Sequence, residues 1–186
     1  MLMARDYSKI PIDQMRRKDR QTDETFITEM LGQVPFCTIG HSLEDQPFLH
    51  TNTFIFNPER KAIYFHTAAE GRMRFNAEKN RRVCFSISKM GRLLPAKVAL
   101  EFSVEYESVV VFGDVQVVED PREAKDMLQA LLDKYFPHLE SGKDYRSTTD
   151  EELKRTAVYR IDITSWSGKK KLEPPEFPGA FLYGEP

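Results

Sequence analysis

The chain of 186 residues has the size of a single domain, and hydrophobic residues make up 40% of it, which is enough to build a buried core. Its formal charge of -2 and pI near 6.1 argue against a general attraction to nucleic acid or an anionic membrane. There is no apolar run of membrane-spanning length and no apolar centre typical of a signal peptide, so we expect a cytoplasmic protein.

The first half of the chain predicts one helix followed by short strands. Residues 22–34 keep apolar side chains at helical spacing, with Thr22 as the helix N-cap. Apolar runs at 35–42, 47–56 and 61–67 are then separated by turn residues. These short gaps favour antiparallel hairpins, because a parallel crossover needs about a dozen residues or more.

The next region predicts a short helix and then long strands. Residues 68–80 lack β-branched side chains, so we place a helix there, and a strand follows at 81–89. Residues 98–120 have the composition of a pair of long strands, with a break predicted near residues 105–107.

The clearest helix follows these strands. Asp120 is its predicted N-cap, Pro121 occupies the first helical position, and Pro137 ends it. A second helix start carries a capping box from Thr149 to Glu152.

Residues 156–164 alternate as a last strand, which we expect to end near Ser165. We expect a single domain over 1–186 with an N-terminal extension at 1–20 and a C-terminal arm at 169–186. The arm is rich in proline and charge yet carries apolar anchors, which predict a homodimer with this arm on the partner or over a cleft.

Six or seven antiparallel strands with few helices indicate a mainly β protein built as a small closed or split β-barrel. Cys37 and Cys84 lie in apolar runs and are expected to be free and reduced. Their spacing from His50 and His66 matches no zinc pattern, so no metal site is predicted.

One stretch, "IYFHTAAEGRMR" at 63–74, could hold an anion. If a helix begins near Ala69, the unpaired backbone N–H groups around Gly71 would favour a phosphate. Arg72 and Arg74 would add charge, and His66 or Thr67 a hydrogen bond. The alternative is an ordinary solvated first turn in which Arg74 pairs with Glu78.

Polar residues also interrupt an apolar strand: His50, Thr51, Asn52 and Thr53. Consecutive strand residues point to both faces of a sheet, so some of these side chains should point inward and need partners. Buried water, a core network or the edge of a polar heteroaromatic ligand could supply them. Ser108, a hydroxyl ahead of a run of valines, would mark a bend or face the pocket.

Several blocks in order carry a family resemblance: "MRRKDRQTDE", "YFHTAAEGR", "NRRVCFSI", "YESVVVFG" and "LKRTAVYRIDITSWSGKKK". They resemble the FMN-binding split barrels related to pyridoxamine 5'-phosphate oxidase, and within them the branch of the nitroimidazole-resistance (Nim) proteins. The resemblance extends over roughly residues 15–171. It implies a split-barrel homodimer with one FMN in each of two clefts at the subunit interface.

The resemblance also implies roles for particular residues. The strand at 49–54 would lie along the isoalloxazine ring, and residues 66–74 would hold the phosphate. Ser108 and a residue near Trp166 would close the site, some of them from the partner chain. The family usually has lysine or arginine where this chain has Met73, so the phosphate would rely on Arg72 and Arg74.

The activity implied is an FMN-dependent reduction of a small aromatic acceptor such as a nitroimidazole. The chain has no G-x-G-x-x-G motif, so NAD(P)H would act as a transient donor. His50 would transfer protons or be a buried histidine satisfied by the backbone, and Trp166 would cap the ring or plug the barrel. The alternatives are a non-catalytic flavin- or haem-binding protein for storage or sensing, and an interaction module with an empty cleft.

The arginine-rich C-terminal end of the true oxidase is missing from this sequence, so we do not predict vitamin B6 synthesis.

Overall fold

The computed structural model describes residues 6–185 and contains seven strands and four α-helices in that part of the chain. Residues 1–5 of the predicted N-terminal extension and Pro186 of the predicted arm lie outside the described residues. The strands are β1 (Cys37–Leu43), β2 (Gln46–Asn52), β3 (Ile55–Asn57), β4 (Ala62–Ala68), β5 (Arg82–Leu94), β6 (Ser103–Val117) and β7 (Thr156–Lys171). The helices are α1 (Glu24–Gln33), α2 (Arg72–Lys79), α3 (Pro121–Tyr135) and α4 (Asp150–Leu153).

All seven strands form one antiparallel sheet in the order β2-β1-β5-β6-β7-β4-β3. The predicted mainly β, antiparallel architecture is therefore confirmed. No helix within residues 6–185 is both long and apolar enough to cross a membrane.

The long strands differ from their prediction. The prediction of two strands over 98–120 is wrong, because β6 runs as one strand through Glu105. That carboxylate is buried and bonded to the Arg92 guanidinium of β5 (2.6 Å), so a charged pair replaces the expected break. β7 likewise continues to Lys171, six residues beyond Ser165, because its second half pairs with β6 from Val111↔Trp166 to Tyr106↔Lys171.

The helix starts follow their capping residues. The predicted N-cap Thr22 is wrong by one residue, because the Asp23 carboxylate accepts from Phe26 N (2.9 Å). Thr22 N instead donates to Gly168 O (3.1 Å) on β7. The N-cap of α3 at Asp120 and the capping box of α4 are confirmed.

Closure of the barrel follows from the connection between β2 and β3. These strands occupy opposite edges of the sheet, yet only Thr53 and Phe54 separate them. Three Cα steps span at most about 11 Å, so the sheet must curl until its two edges meet. Asn52 Nδ2 then reaches across from β2 to His66 O of β4 (2.6 Å).

The linking residue Phe54 is fully buried, and its peptide groups have no strand partner, so the C-terminal end of α3 supplies them. Phe54 N donates to the Tyr135 hydroxyl (3.0 Å), and Phe54 O accepts from Lys134 Nζ (3.0 Å). Lys134 Nζ also donates to Val34 O (3.2 Å), and the Tyr135 hydroxyl donates to Pro35 O (2.6 Å). α3 thus fastens the link to the end of α1. Burial lowers the pKa of Lys134 to about 8.

Two apolar cores lie on the two faces of this sheet. The larger fills the barrel and includes Phe54, Phe65, Phe85 and Tyr159 together with the inner face of α1. The smaller lies between α3 and the outer face of β3, β4 and β7.

The C-terminal arm begins after β7 and packs on its own chain. Arg92 donates to the carbonyls of Glu173, Pro174 and Pro175, and Glu105 accepts from Glu173 N (2.9 Å). The hydrogen bonds that the Glu105 carboxylate accepts, from the Arg92 guanidinium first and then from Glu173 N, lower the pKa of Glu105 to about 2. Further along, Phe181 pairs with Leu93, so the arm contacts the end of β5.

The hydroxyl of Tyr135 can be removed with little change in shape. Tyr135→Phe leaves the buried Phe54 N–H without an acceptor, which should lower the free energy of unfolding by about 1–3 kcal/mol. Urea unfolding followed by circular dichroism would measure this. Tyr183→Phe is the matched control, since that ring is 81% exposed. Equal midpoints for the two variants would contradict the role of Tyr135.

Candidate functional site

The polar residues of β2 divide between the two faces of the sheet. His50 and Asn52 pair with Ile39 and Cys37, both of which lie in the barrel core. Paired residues of antiparallel strands share a face, so these two polar side chains point toward the barrel. Thr51 lies on the opposite face and is exposed. The prediction that part of this polar stretch points inward is confirmed.

Asn52 is held by the protein itself. Its Nδ2 donates to His66 O on the free edge of β4, and its Oδ1 accepts from Thr53 N (2.8 Å). Nδ2 also lies 3.4 Å from His50 Nε2. Of the three kinds of partner left open by the sequence, a core network is the one that satisfies Asn52.

The end of β4 brings two further predicted residues to this place. The Nδ1 atom of His66 is buried without a hydrogen-bond partner within residues 6–185, and burial lowers the pKa of this imidazole. Thr67 Oγ1 donates to Ala68 O (2.8 Å) and lies 3.2 Å from the Tyr159 hydroxyl. The His66 ring therefore has a nitrogen free for a partner that the described chain does not provide.

α2 begins beside this group with an open N-terminus. Gly71 is its N-cap, with a φ of +140° that residues other than glycine rarely adopt. The space beside it is open, because a Cβ at this position would have no atom within 4 Å. Within residues 6–185 no side chain caps this helix, and no protein acceptor binds the N–H groups of Arg72, Met73 or Arg74. Such a helix start favours anions.

The two arginines predicted to share a phosphate point in different directions. The Arg72 guanidinium is exposed and lies 5.3 Å from the ring of Phe48, on the His50 face of β2. Arg74 pairs with Glu78. Together with Arg160 it lines a cleft of about 500 Å³, separate from the polar group of β2 and β4 and called the second cleft below.

Met73, between these arginines, is 5% exposed and belongs to the barrel core. The position that is usually basic in the family thus points inward here.

Polar side chains on one face of α2 and on β1 have no hydrogen-bond partner within residues 6–185. Residues four apart share a helix face, and on this face Asn80 Nδ2 donates to Ser42 O (2.8 Å). Asn76, between Arg72 and Asn80, is fully buried, and neither of its amide atoms has a partner within the described residues. The same holds for Nδ1 of the buried His41 on β1. Both residues escaped the sequence patterns, because each lies in a regular element without a motif.

Ser108 and Trp166 lie elsewhere in the same chain. Ser108 sits between Ser88 and Lys169 in the registers of β5, β6 and β7. Trp166 packs against the barrel core beside Phe56, with Lys61 Nζ 4.4 Å from its ring. Within residues 6–185 no hydrogen bond or ring contact joins either residue to the group formed by β2, β4 and α2.

Phe48 was not predicted as a site residue. It alternates with His50 and Asn52 along β2 and so shares their face, which the sequence could have shown. Its ring lies between Arg72 and His41, 5.9 Å from the His41 imidazole. Tyr159, whose hydroxyl lies 3.2 Å from Thr67 Oγ1, was also missed as a site residue, because the register between β7 and β4 cannot be read from one sequence.

Both cysteines are free, as predicted, and burial raises the pKa of the Cys37 thiol to about 12. Among residues 6–185, no three His, Cys, Asp or Glu side chains approach closely enough to hold a metal ion.

A seven-stranded sheet that curls until β2 meets β4, with an anion-accepting helix start at the junction, defines a split-barrel protein. Residues 23–170 match the family model described as pyridoxamine 5'-phosphate oxidase. Since this match spans most of the chain, the protein belongs to that family.

Solved structures show the same fold. The flavocytochrome Anf3 from Azotobacter vinelandii superposes with a TM-score of 0.77 at 22% identity, over 87% of this chain and 74% of that one. The FAD and haem binding protein from Mycobacterium smegmatis gives 0.74 at 20% identity, over 84% and 75%. A protein described as a candidate 5-nitroimidazole antibiotic resistance protein from Bacteroides thetaiotaomicron gives 0.65 at 23% identity, over 80% and 84%.

At these identities the likeness is one of fold. No curated protein matches the chain significantly.

Proposed function

We propose that this protein binds FMN beside β2 and α2 and reduces a small aromatic acceptor such as a nitroimidazole. The observation that carries the proposal is the uncapped start of α2, with Gly71 and Arg72, next to the polar face of β2. Open N–H groups and one guanidinium suit the phosphate of FMN. Family membership and the fold shared with the structures described above support the same reading.

The residues present fit such a cofactor with one change from the predicted site. Arg72 and the N–H groups of α2 would hold the phosphate, whereas His66 Nδ1 is sealed from solvent and does not contribute. Arg74 contributes less, because its guanidinium is already paired with Glu78. Among residues 6–185, Arg72 is the arginine at this helix start without a carboxylate partner, and a single guanidinium suits the monophosphate of FMN better than the diphosphate of FAD.

Bound flavin supplies hydride and single-electron transfer, so the task of the protein is to bind, orient and shield. The segment from Thr51 to Thr53 would line the ring, with a backbone N–H or the Thr53 hydroxyl as the hydrogen bond that tunes it. The Thr51 side chain lies on the opposite face of β2 and would take no part. His50, beside the ring, would donate a proton to the acceptor as it is reduced. NAD(P)H would bind transiently as the electron donor.

We further propose that the site is completed in a homodimer. Leu49, on the outer face of β2, is 77% exposed, and Ile12 beside the same face is 70% exposed. Both line a cleft of about 720 Å³ across β2, β1, β5, β6 and β7, a size that ligand pockets usually have. A second copy on this face would cover the apolar surface and bring its own Ser108 and Trp166 toward the flavin.

Flavin binding tests the phosphate site. Wild type should turn yellow and quench FMN fluorescence on titration, whereas Arg72→Ala should weaken FMN binding about 10- to 100-fold through loss of a charge-assisted hydrogen bond. Arg74→Ala is the matched control and should have a smaller effect.

Riboflavin, which lacks the phosphate, should bind both variants alike. Equal losses in the two arginine variants would contradict the role assigned to Arg72. FAD binding that matched FMN and depended on Arg74 would replace FMN with FAD as the cofactor.

Turnover separates an enzyme from a binding protein. The FMN-loaded protein should consume a nitroimidazole anaerobically with NADPH, followed by loss of the nitro absorbance. His50→Leu should still bind FMN but lower the turnover rate by about 100-fold, the rate factor usually lost with a positioned general acid or base. FMN bound without any turnover would favour the non-catalytic flavin- or haem-binding alternative.

The dimer can be tested by mass in solution. Light scattering should give about twice the chain mass of 21.6 kDa. Leu49→Lys should shift the protein to a monomer, because it places a charge in the proposed interface. Leu100→Lys is the control, since Leu100 is 94% exposed but lies on the β5–β6 connection. A monomeric wild type would rule the dimer out.

A further inference from the structure

The side-chain amide of Asn52 has only one possible orientation. His66 O can only accept a hydrogen bond, so the amide atom 2.6 Å from it must be the nitrogen. Thr53 N can only donate, so the amide atom 2.8 Å from it must be the oxygen. Both partners are backbone atoms and agree with each other, which removes the usual ambiguity of an asparagine side chain.

This orientation fixes what His50 receives. The second hydrogen of Asn52 Nδ2 is free, and His50 Nε2 lies 3.4 Å from this nitrogen, within hydrogen-bonding distance. A ring nitrogen that accepts a hydrogen bond cannot carry a hydrogen itself. The hydrogen of a neutral His50 imidazole therefore belongs on Nδ1.

The remaining surroundings agree with a neutral ring. The Phe65 ring packs 6.2 Å from the imidazole and offers no acceptor, and the partially buried setting lowers the pKa of His50. Its titratable or charged neighbours include His41 on the neighbouring β1, which interacts with it electrostatically, and Arg72 at the start of α2, which lies over Phe48 two residues before His50. None of these is a carboxylate that would stabilise an imidazolium.

His50 Nδ1 differs from the other ring nitrogens of this region. Nδ1 of His41 and of His66 are sealed from solvent without partners, whereas His50 Nδ1 is not among the sealed atoms. It also has no protein hydrogen bond within residues 6–185. An N–H at this atom is thus accessible to a ligand.

We propose that Asn52 is a positioning residue that holds His50 as the neutral Nδ1–H tautomer, so that His50 offers a hydrogen-bond donor to an acceptor atom of the bound ligand. The acceptor would be a nitro or carbonyl oxygen, or a ring nitrogen of a flat heteroaromatic molecule. The identity of that ligand rests on the proposed function. The tautomer does not, because it is set by the protein alone.

Long-range ¹H–¹⁵N correlation spectra of the ligand-free protein read the tautomer directly. We expect His50 Nδ1 to resonate as a protonated nitrogen and Nε2 as an unprotonated one, with the assignment made from His50→Gln. The exposed His138 serves as an internal control and should show the Nε2–H form that predominates in water. An Nε2–H pattern for wild-type His50 would overturn the proposal.

Substitution at position 52 should move the hydrogen. Asn52→Asp replaces the donor with a group that only accepts, so His50 should change to Nε2–H or become protonated. Asn57→Asp, the same substitution on β3, should leave the His50 pattern unchanged, because the Asn57 side chain bonds locally, to Arg60 N (3.0 Å). An unchanged pattern in a folded Asn52→Asp protein would also overturn the proposal, and if that variant does not fold, the wild-type spectrum alone decides.

Addition of FMN separates this inference from the proposed function. A shift of the His50 Nδ1 resonance on titration would support the donor role. If FMN leaves the whole spectrum unchanged while His50 keeps the Nδ1–H pattern, FMN binding fails but the positioning role of Asn52 stands. If FMN binds and His50 shows the Nε2–H pattern, the positioning role fails alone.

Discussion

The architecture depends on the two-residue link between β2 and β3. These strands lie at opposite edges of a seven-stranded sheet, and a link this short can join them only if the sheet curls until its two edges approach each other. Closure places two peptide groups of Phe54 in the interior with no strand partner, and a buried N–H or C=O without a partner is costly. Lys134 and Tyr135 remove that cost, so α3 is part of the barrel closure as well as a cover for its outer face.

The same closure creates the candidate site. β3 is short and pairs only with the first residues of β4, which leaves the end of β4 with a free edge. Asn52 reaches that edge and bonds to His66 O, bringing residues from opposite edges of the sheet into one polar group. The chain then leaves β4 and starts α2 a few residues later, so an anion-accepting helix start must lie near this junction. Barrel closure and site geometry thus share a cause.

Local signals in the sequence predicted the local features. The caps of α3 and α4 and the run of antiparallel strands depend on neighbouring residues and were predicted correctly, whereas the true lengths of β6 and β7 depend on long-range pairing. For the site, strand alternation predicted that some of residues 50–53 point inward, but the partner His66 O of Asn52 could not be foreseen from a single sequence. Arg72 and Arg74 do not share one site, because side chains two residues apart on a helix point in different directions.

The buried methionine at position 73 shows how the core limits the site. A lysine or arginine there would either enter the barrel core as an unpaired charge or turn α2 away from β1, and both outcomes are unfavourable. With Met73 inward, α2 is held in an orientation that exposes Arg72 toward Phe48 and directs Arg74 to the second cleft. The phosphate site proposed for this chain therefore depends on backbone N–H groups and one guanidinium. Its anion affinity comes mainly from the start of the helix and less from side-chain charge.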